Sequence, residues 1–187
     1  MRKLLLPLLL LAGAAHAQGS PHSSARDRAA VVDQLLAALK AAPSEEVAGP
    51  LELRITQIWI ESGSPAATLL MIRGIRDMKS GAHDDAVDDF DSVVALEPDL
   101  AEGWSQRGVA RFAAGDMQGA IADISEALKR DPRHFTALQA LSRIAESRQD
   151  WTGALAAWEK VLEIDPKTPD GVSRLKDLRR RALGDDT

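Results

Sequence analysis

Three prolines stand 34 residues apart in this chain, at Pro98, Pro132 and Pro166. The same shift aligns much else. Gly74 falls on Gly108 and Gly81 on Gly115. Ala86, Ala120 and Ala154 align, as do Phe90, Ile124 and Trp158, and Leu70, Trp104 and Leu138. A fixed period of this length restricts the chain to stacked copies of one supersecondary unit, since a single copy cannot bury its apolar face alone. The copies run 67–100, 101–134 and 135–168.

The middle copy shows what each unit is. Trp104, Gly108, Val109 and Phe112 sit at helical spacing, and Gly115 then supplies a left-handed stop at little steric cost. Asp116 is placed to cap a second helix by accepting from its free N–H groups. Ala120, Ile124, Ala127 and Leu128 give that helix one buried face. Small residues at Gly108 and Ala120 let the two helices approach closely. Pro132 ends the unit, because it cannot continue the helix ladder. A 34-residue helix-turn-helix with this order of large, small and Pro residues resembles the tetratricopeptide repeat. The resemblance covers 67–168 and implies an all-α fold, a right-handed α-solenoid of stacked helix pairs.

Some positions depart from that family. Arg73 and Arg107 stand where a Leu or similar residue is usual, and only the third unit has Leu141 there. Asp89 and Asp123 follow those arginines by 16 residues, whereas the third unit pairs Leu141 with Ala157. The two places change type together, which predicts ion pairs Arg73–Asp89 and Arg107–Asp123 between the helices of a unit. Asp77 and Arg111 replace bulky residues and suggest looser packing between units. Gln149 replaces the turn glycine, so that turn is either strained or differently shaped.

The ends of a repeat array need covering. Val172, Leu175, Leu178 and Leu183 predict an amphipathic capping helix over 169–183, followed by a tail to residue 187. Its polar face carries Arg174, Lys176, Arg179, Arg180 and Arg181, which reads as a solvated face favoured by the helix dipole more readily than as an anion-binding surface. Before the array, Val32, Leu35, Leu36 and Leu39 predict a helix over 27–42, stopped by Pro43. Residues 47–62 hold Leu51, Leu53, Ile55, Ile58, Trp59 and Ile60, a segment apolar nearly all round and hence expected to be a helix buried on two sides. Within 27–66 the two form a degenerate helix pair, expected to stack on the first unit. Ser64-Pro65 reads as an N-cap followed by Pro at the first helical position.

The chain opens on an address. Arg2 and Lys3, an apolar run from Leu4 to Ala15, and Ala15-His16-Ala17 make up the three parts of a secretory signal peptide over 1–17. The run is shorter than the ~18 residues a spanning helix needs. Residues 18–26 are polar and Ser-rich and read as a flexible start to the exported chain. This predicts export, to the periplasm if the host is Gram-negative, with no stable membrane insertion after cleavage.

Chemistry is hard to find. With no Cys there is no disulfide framework, thiolate metal site or Cys nucleophile. The formal charge of −5 argues against a nucleic-acid partner. His83 with Asp84, Asp85, Asp88, Asp89 and Asp91 could be read as a metal site, but acids at a helix start are favourable in themselves and the spacing matches no ligand pattern. His134 stands just before a helix start, as a polar turn residue would. The sequence therefore predicts a non-enzymatic protein with no cofactor and no metal.

Function is then expected from the surface of the solenoid. In the family, the first helices of the units line a concave groove that takes a peptide or a partner helix. The resemblance implies a lining of Met71, Ile75 and Met78 from the first unit, Ser105, Val109 and Phe112 from the second, and Gln139, Arg143 and Glu146 from the third. The Lys and Asn with which some members bind C-terminal carboxylates are missing from these positions. The partner expected is another protein, bound by an envelope scaffold or adaptor. Two alternatives are a groove filled by the chain's own helix 27–42 and a homo-oligomer in which that helix fills a neighbour's groove. A metal-dependent enzyme is a third and weaker reading.

Overall fold

The structure, a computed structural model, describes residues 21–184. The leader predicted over 1–17 and the last residues of the predicted tail lie outside the described residues. Among the described residues the elements are helices alone: α1 (Pro21–Lys40), α2 (Glu45–Ile60), α3 (Pro65–Ser80), α4 (His83–Leu96), α5 (Ala101–Ala114), α6 (Met117–Arg130), α7 (Phe135–Ser147), α8 (Trp151–Ile164) and α9 (Gly171–Leu183). The flexible stretch expected over 18–26 is helical from Pro21 onward, so α1 starts ahead of the predicted 27.

The helices α3–α8 pair as α3·α4, α5·α6 and α7·α8, and successive pairs stack through α4·α5, α6·α7 and α8·α9. The pairing rests on missing side chains. A Cβ on Gly74 would meet the Phe90 ring at 2.7 Å, and one on Gly108 would meet Ile124 at 2.9 Å. Ala86, Phe90, Ala120, Ile124 and Ala154 are fully buried and Leu138 and Trp158 nearly so. The Gly81 and Gly115 turns are left-handed, with φ of 81° and 92°. Gln149 takes the same left-handed conformation at φ 60° without glycine's freedom, so the third turn keeps the common shape at a cost of ~1 kcal/mol. Asp116 and Asp150 cap α6 and α8 by accepting from Gly119 N at 2.8 Å and Gly153 N at 2.9 Å. Ser64 caps α3 ahead of Pro65. Pro98, Pro132 and Pro166 follow C-caps of similar backbone shape at Glu97, Asp131 and Asp165, with φ of −133°, −136° and −129°. Trp104 donates from Nε1 to the Pro98 carbonyl at 2.8 Å, which ties the turn to the next unit.

Both predicted ion pairs form. Arg73 reaches Asp89 with two nitrogens, and Arg107 holds Asp123 through Nε at 2.8 Å and a terminal nitrogen at 2.7 Å. Arg111, expected to mark loose packing, instead donates to Asp123 at 2.9 Å. Arg107 also reaches back to Asp91 of the preceding unit at 2.6 Å. Arg107, Arg111, Asp91 and Asp123 thus form one network crossing the α4–α5–α6 contact, while Arg73–Asp89 is a separate pair within the first unit. In the third unit, Leu141 packs into the apolar cluster and Ala157 is buried, as their types require.

The helix α9 closes the array, with Leu178 buried against Trp158 and Val161. Its basic face is largely engaged at home. Arg174 and Arg181 lie over Trp158 and Trp151, and Arg179 and Arg180 pair with Glu159 and Asp177.

The hairpin α1–α2 does not stack on the first unit. It forms its own cluster from Val32, Leu36, Leu39, Ile55, Ile58 and Trp59, and Phe135 of α7 and Ile164 of α8 complete it. The helix α1 lies against α8, and α2 against α5. The reason is visible one period upstream of the repeat. Lys40 and Glu52 occupy the places of Gly74 and Ala86, so the pair lacks the small residues on which a stacked unit closes. Contrary to expectation, α2 is not buried on two sides: Leu53 is 75% exposed.

Candidate functional site: the concave face

The first helices α3, α5 and α7 carry the predicted groove residues, and the structure sorts them into three groups. Met71 is fully buried against Ala67, Phe90 and Ala110, and Ser105 is buried on α5. Neither offers surface to a partner, which corrects the expected lining at those two places. Ile75, Met78, Val109 and Phe112 are half-buried, each with one side in a unit's core. Gln139 and Glu146 are half-buried and Arg143 is exposed. Val109, Phe112 and Arg143 come together, with Ala113, Ala140 and Ile144, around a hollow of about 150 Å³ between α5 and α7. The lining thus changes from apolar to charged within one small cavity.

The charged end has a distinctive balance. Glu146 is claimed by Arg174 of α9. Arg143 makes no ion pair among the described residues. The residue reaches solvent as a whole, but partial desolvation of its guanidinium in the cavity it lines, and then the nearby Arg174 charge, hold it below the ordinary value against the opposing pull of Glu146. Gln139 lies 3.4 Å from the Thr168 hydroxyl beyond it.

The other half of the face is occupied by the chain itself. The occupant is the hairpin's second helix, α2, and not the 27–42 helix that the alternative reading put there. Its Trp59 ring stacks on His134 with centroids 4.0 Å apart and planes 12° from parallel, and it leans on Phe135. His134 is the N-cap of α7, and its Nδ1 accepts from Ala137 N. That leaves Nε2 as the ring's donor, and it faces Glu102 Oε2 at 2.9 Å, both side chains being fully buried. The contact is off the line of a good ring N–H hydrogen bond, and neither atom has another partner. Gln106 satisfies the other Glu102 oxygen at 2.6 Å. An exposed Asp33–Arg133 pair at 2.8 Å adds a surface tie between α1 and the α6–α7 turn.

Sequence reasoning missed Trp59, Glu102, Arg174 and Glu52, which lines a cavity with Gln139 and Arg143, as features of this face. Position in the repeat gave no signal for Trp59, Glu52 or Arg174, which lie outside the three units. Glu102 had one: an acid at a position where the third unit has Thr136.

The acids of α4 do not converge. Asp89 turns to Arg73 and Asp91 to Arg107, while Asp84, Asp85 and Asp88 face solvent. Among the described residues no three His, Cys, Asp or Glu side chains are grouped to hold a metal ion. No described helix is long and apolar enough to cross a membrane.

The sequence profile of the tetratricopeptide repeat matches residues 73–132 and 106–169. A tetratricopeptide repeat-containing protein of Rhizobium etli is 30% identical over 170 residues, covering 91% of this chain and 82% of that one. The chain belongs to the tetratricopeptide-repeat family. Solved structures agree on the fold of this tetratricopeptide array. The Sgt2 domain of Aspergillus fumigatus superposes with a TM-score of 0.60 at 23% identity, over 64% of this chain and 80% of that one. The first repeat domain of Spaghetti (RPAP3), solved bound to the HSP90 peptide SRMEEVD, gives 0.59 at 21% identity, over 63% and 93%. Tetratricopeptide domains are protein–protein interaction modules, and a peptide-bound neighbour shares this architecture.

Proposed function

We propose that this protein is a non-enzymatic scaffold or adaptor that binds a segment of another protein on the open half of its concave face. The observation that carries the reading is the hollow between α5 and α7, where Val109 and Phe112 offer apolar surface beside the unpaired Arg143. Half-buried apolar side chains on a rigid pair of helices can desolvate a partner's apolar residue with little ordering of their own. Arg143 adds a charge relieved by an acidic side chain, which favours a segment with an apolar residue next to an acidic one. Support for a peptide ligand comes from the HSP90 peptide carried by the Spaghetti neighbour. Export is part of the same proposal and rests on the charged start, apolar run and Ala-His-Ala pattern of residues 1–17. In a Gram-negative host the partner would be met in the cell envelope.

The test is site-specific photo-crosslinking in the native host with the probe in place of Val109. The expected result is a crosslink to another protein, identified by mass spectrometry. A crosslink only to this chain's own helices would overturn the reading and favour a groove that is closed or used for self-assembly.

A further inference from the structure

We propose that the α1–α2 hairpin is a proton-controlled cover, which lies over part of the concave face in mild acid and lets go of the third unit as the pH rises, through the carboxyl pair of Glu52 and Asp165. Its bearing on binding rests on the reading of the concave face given above; the movement itself does not.

The geometry sets the pair apart from the hairpin's other contacts. Glu52 lies on α2, and Asp165 is the C-cap of α8, fully buried. One oxygen of each, Glu52 Oε1 and Asp165 Oδ2, is sealed from water. The remaining Asp165 oxygen accepts from the Lys167 backbone N–H at 3.3 Å. Ile164 packs into the hairpin's cluster and Thr168 lines one cavity with Glu52, so α2 lies on the turn that carries Asp165; two buried carboxyls brought together there are held best with one proton between them, since like charges in a buried site repel. When protonated, Glu52 donates to Asp165 and ties α2 to the array; when ionised, it repels the same group.

The surroundings favour the protonated form. Burial raises the Glu52 carboxyl from 4.5 to about 7, helped next by the charge and hydrogen bond of Asp165 and last by the charge of Glu45. The cations around the shared cavity are Arg143 of α7 and Arg174 of α9. Arg174 is held by Glu146 and stacked on Trp158. Lys167 reaches Asp165 through its backbone N–H.

The sign follows from where the proton is held more tightly. Docked, Glu52 keeps its proton up to about pH 7; in a released hairpin it loses it near the ordinary 4.5. Docking is therefore fully favoured below the ordinary value and weakens as the pH climbs through about 7; because Glu52 is only half-buried, solvent screening cuts the change to the order of tenfold in the docking equilibrium. The remaining hairpin contacts, the Trp59 stack and the Val32–Leu36–Leu39 cluster, set where that change falls between closed and open.

The chain has no Cys, so two can be introduced cleanly. Ala37→Cys on α1 and Lys160→Cys on α8 are both exposed positions, and spin labels on them report the hairpin-to-array distance by pulsed dipolar spectroscopy. The expected result is one short distance at pH 5.5 and a second, longer and broader population at pH 8.5. Glu52→Gln, which keeps a donor toward Asp165 but cannot ionise, is expected to hold the short distance at both pH values. An unchanged distribution in the unmodified protein, or a shift that survives Glu52→Gln, overturns the proposal. Should Glu52→Gln fail to fold by circular dichroism, Asp165→Asn removes the same repulsion and is read the same way. The readout is a distance within one chain, so a failed Val109 crosslink leaves it standing, and a static hairpin leaves the Val109 reading standing.

Discussion

In the first two repeat units, the distance between paired helices is set by glycine: Phe90 lies against where a Cβ on Gly74 would be, and Ile124 against where one on Gly108 would be. The α1–α2 hairpin has Lys40 and Glu52 at the corresponding places and closes instead on Ile55, Ile58 and Trp59. It then borrows Phe135 and Ile164 from the array to finish its core. The array's buried aspartates are met by arginine, Asp89 by Arg73 and Asp123 by both Arg107 and Arg111. The polar groups under the hairpin are less well matched: Glu102 faces His134 off the hydrogen-bond line, and Glu52 meets the like group of Asp165. Apolar packing with fully partnered charges makes a body that opens as a whole. A cover resting on half-satisfied polar groups is the part of the molecule placed to open first.

The comparison breaks most sharply at its two aromatic anchors. Phe90→Ala empties the centre of the first unit and is expected to lower stability by about 4 kcal/mol, with helicity lost across the array in one urea transition. Trp59→Ala is expected to cost about 3 kcal/mol, but confined to the hairpin: hydrogen exchange should speed up in α1 and α2 while α3–α9 stay protected. Loss of protection in α7 and α8 to the same degree would mean that hairpin and array are one unit.

The charged network sharpens the comparison at a smaller scale. Arg107→Leu alone leaves Asp123 short of a partner in a buried site and is expected to cost roughly 2 kcal/mol, less than a fully stranded charge because Arg111 remains. Arg107→Leu with Asp123→Ala copies the Leu141–Ala157 solution of the third unit and should recover most of that loss, within ~1 kcal/mol of the parent by denaturant titration. A double variant no better than the single one would show that the network, beyond its charges, sets the α5–α6 fit. The smallest effect belongs to the site. Arg143→Glu is expected to change stability by under ~0.5 kcal/mol, since Arg143 is exposed and unpaired, yet to weaken the Val109 crosslink. A large loss of stability would make Arg143 a structural residue.

The array was legible because its physics repeats. The Ala and Pro positions recur in all three units and the two Gly positions in the first two, and even the departures from the pattern carried information: Arg107 and Asp123 were readable as a pair because Leu141 and Ala157 changed type together. Arg111 was misread because its partners, Asp123 and Asp91, sit on different helices and in different units. The hairpin's helices were readable from their spacing, but their place was not. Where α2 docks depends on Phe135, His134 and Ile164, each far along the chain and unremarkable within its own helix. For the same reason the groove lining was half readable: Val109, Phe112 and Arg143 follow from position in the repeat, while the burial of Met71 and Ser105 follows from what packs over them.

The measurement that tests the divided concave face most directly is hydrogen exchange followed by mass spectrometry on the intact protein at a single mildly alkaline pH. The account predicts two cooperative blocks, with the amides of α1 and α2 exchanging together and faster than those of α3–α8. One common rate, with the hairpin as protected as α5 and α6, would contradict it.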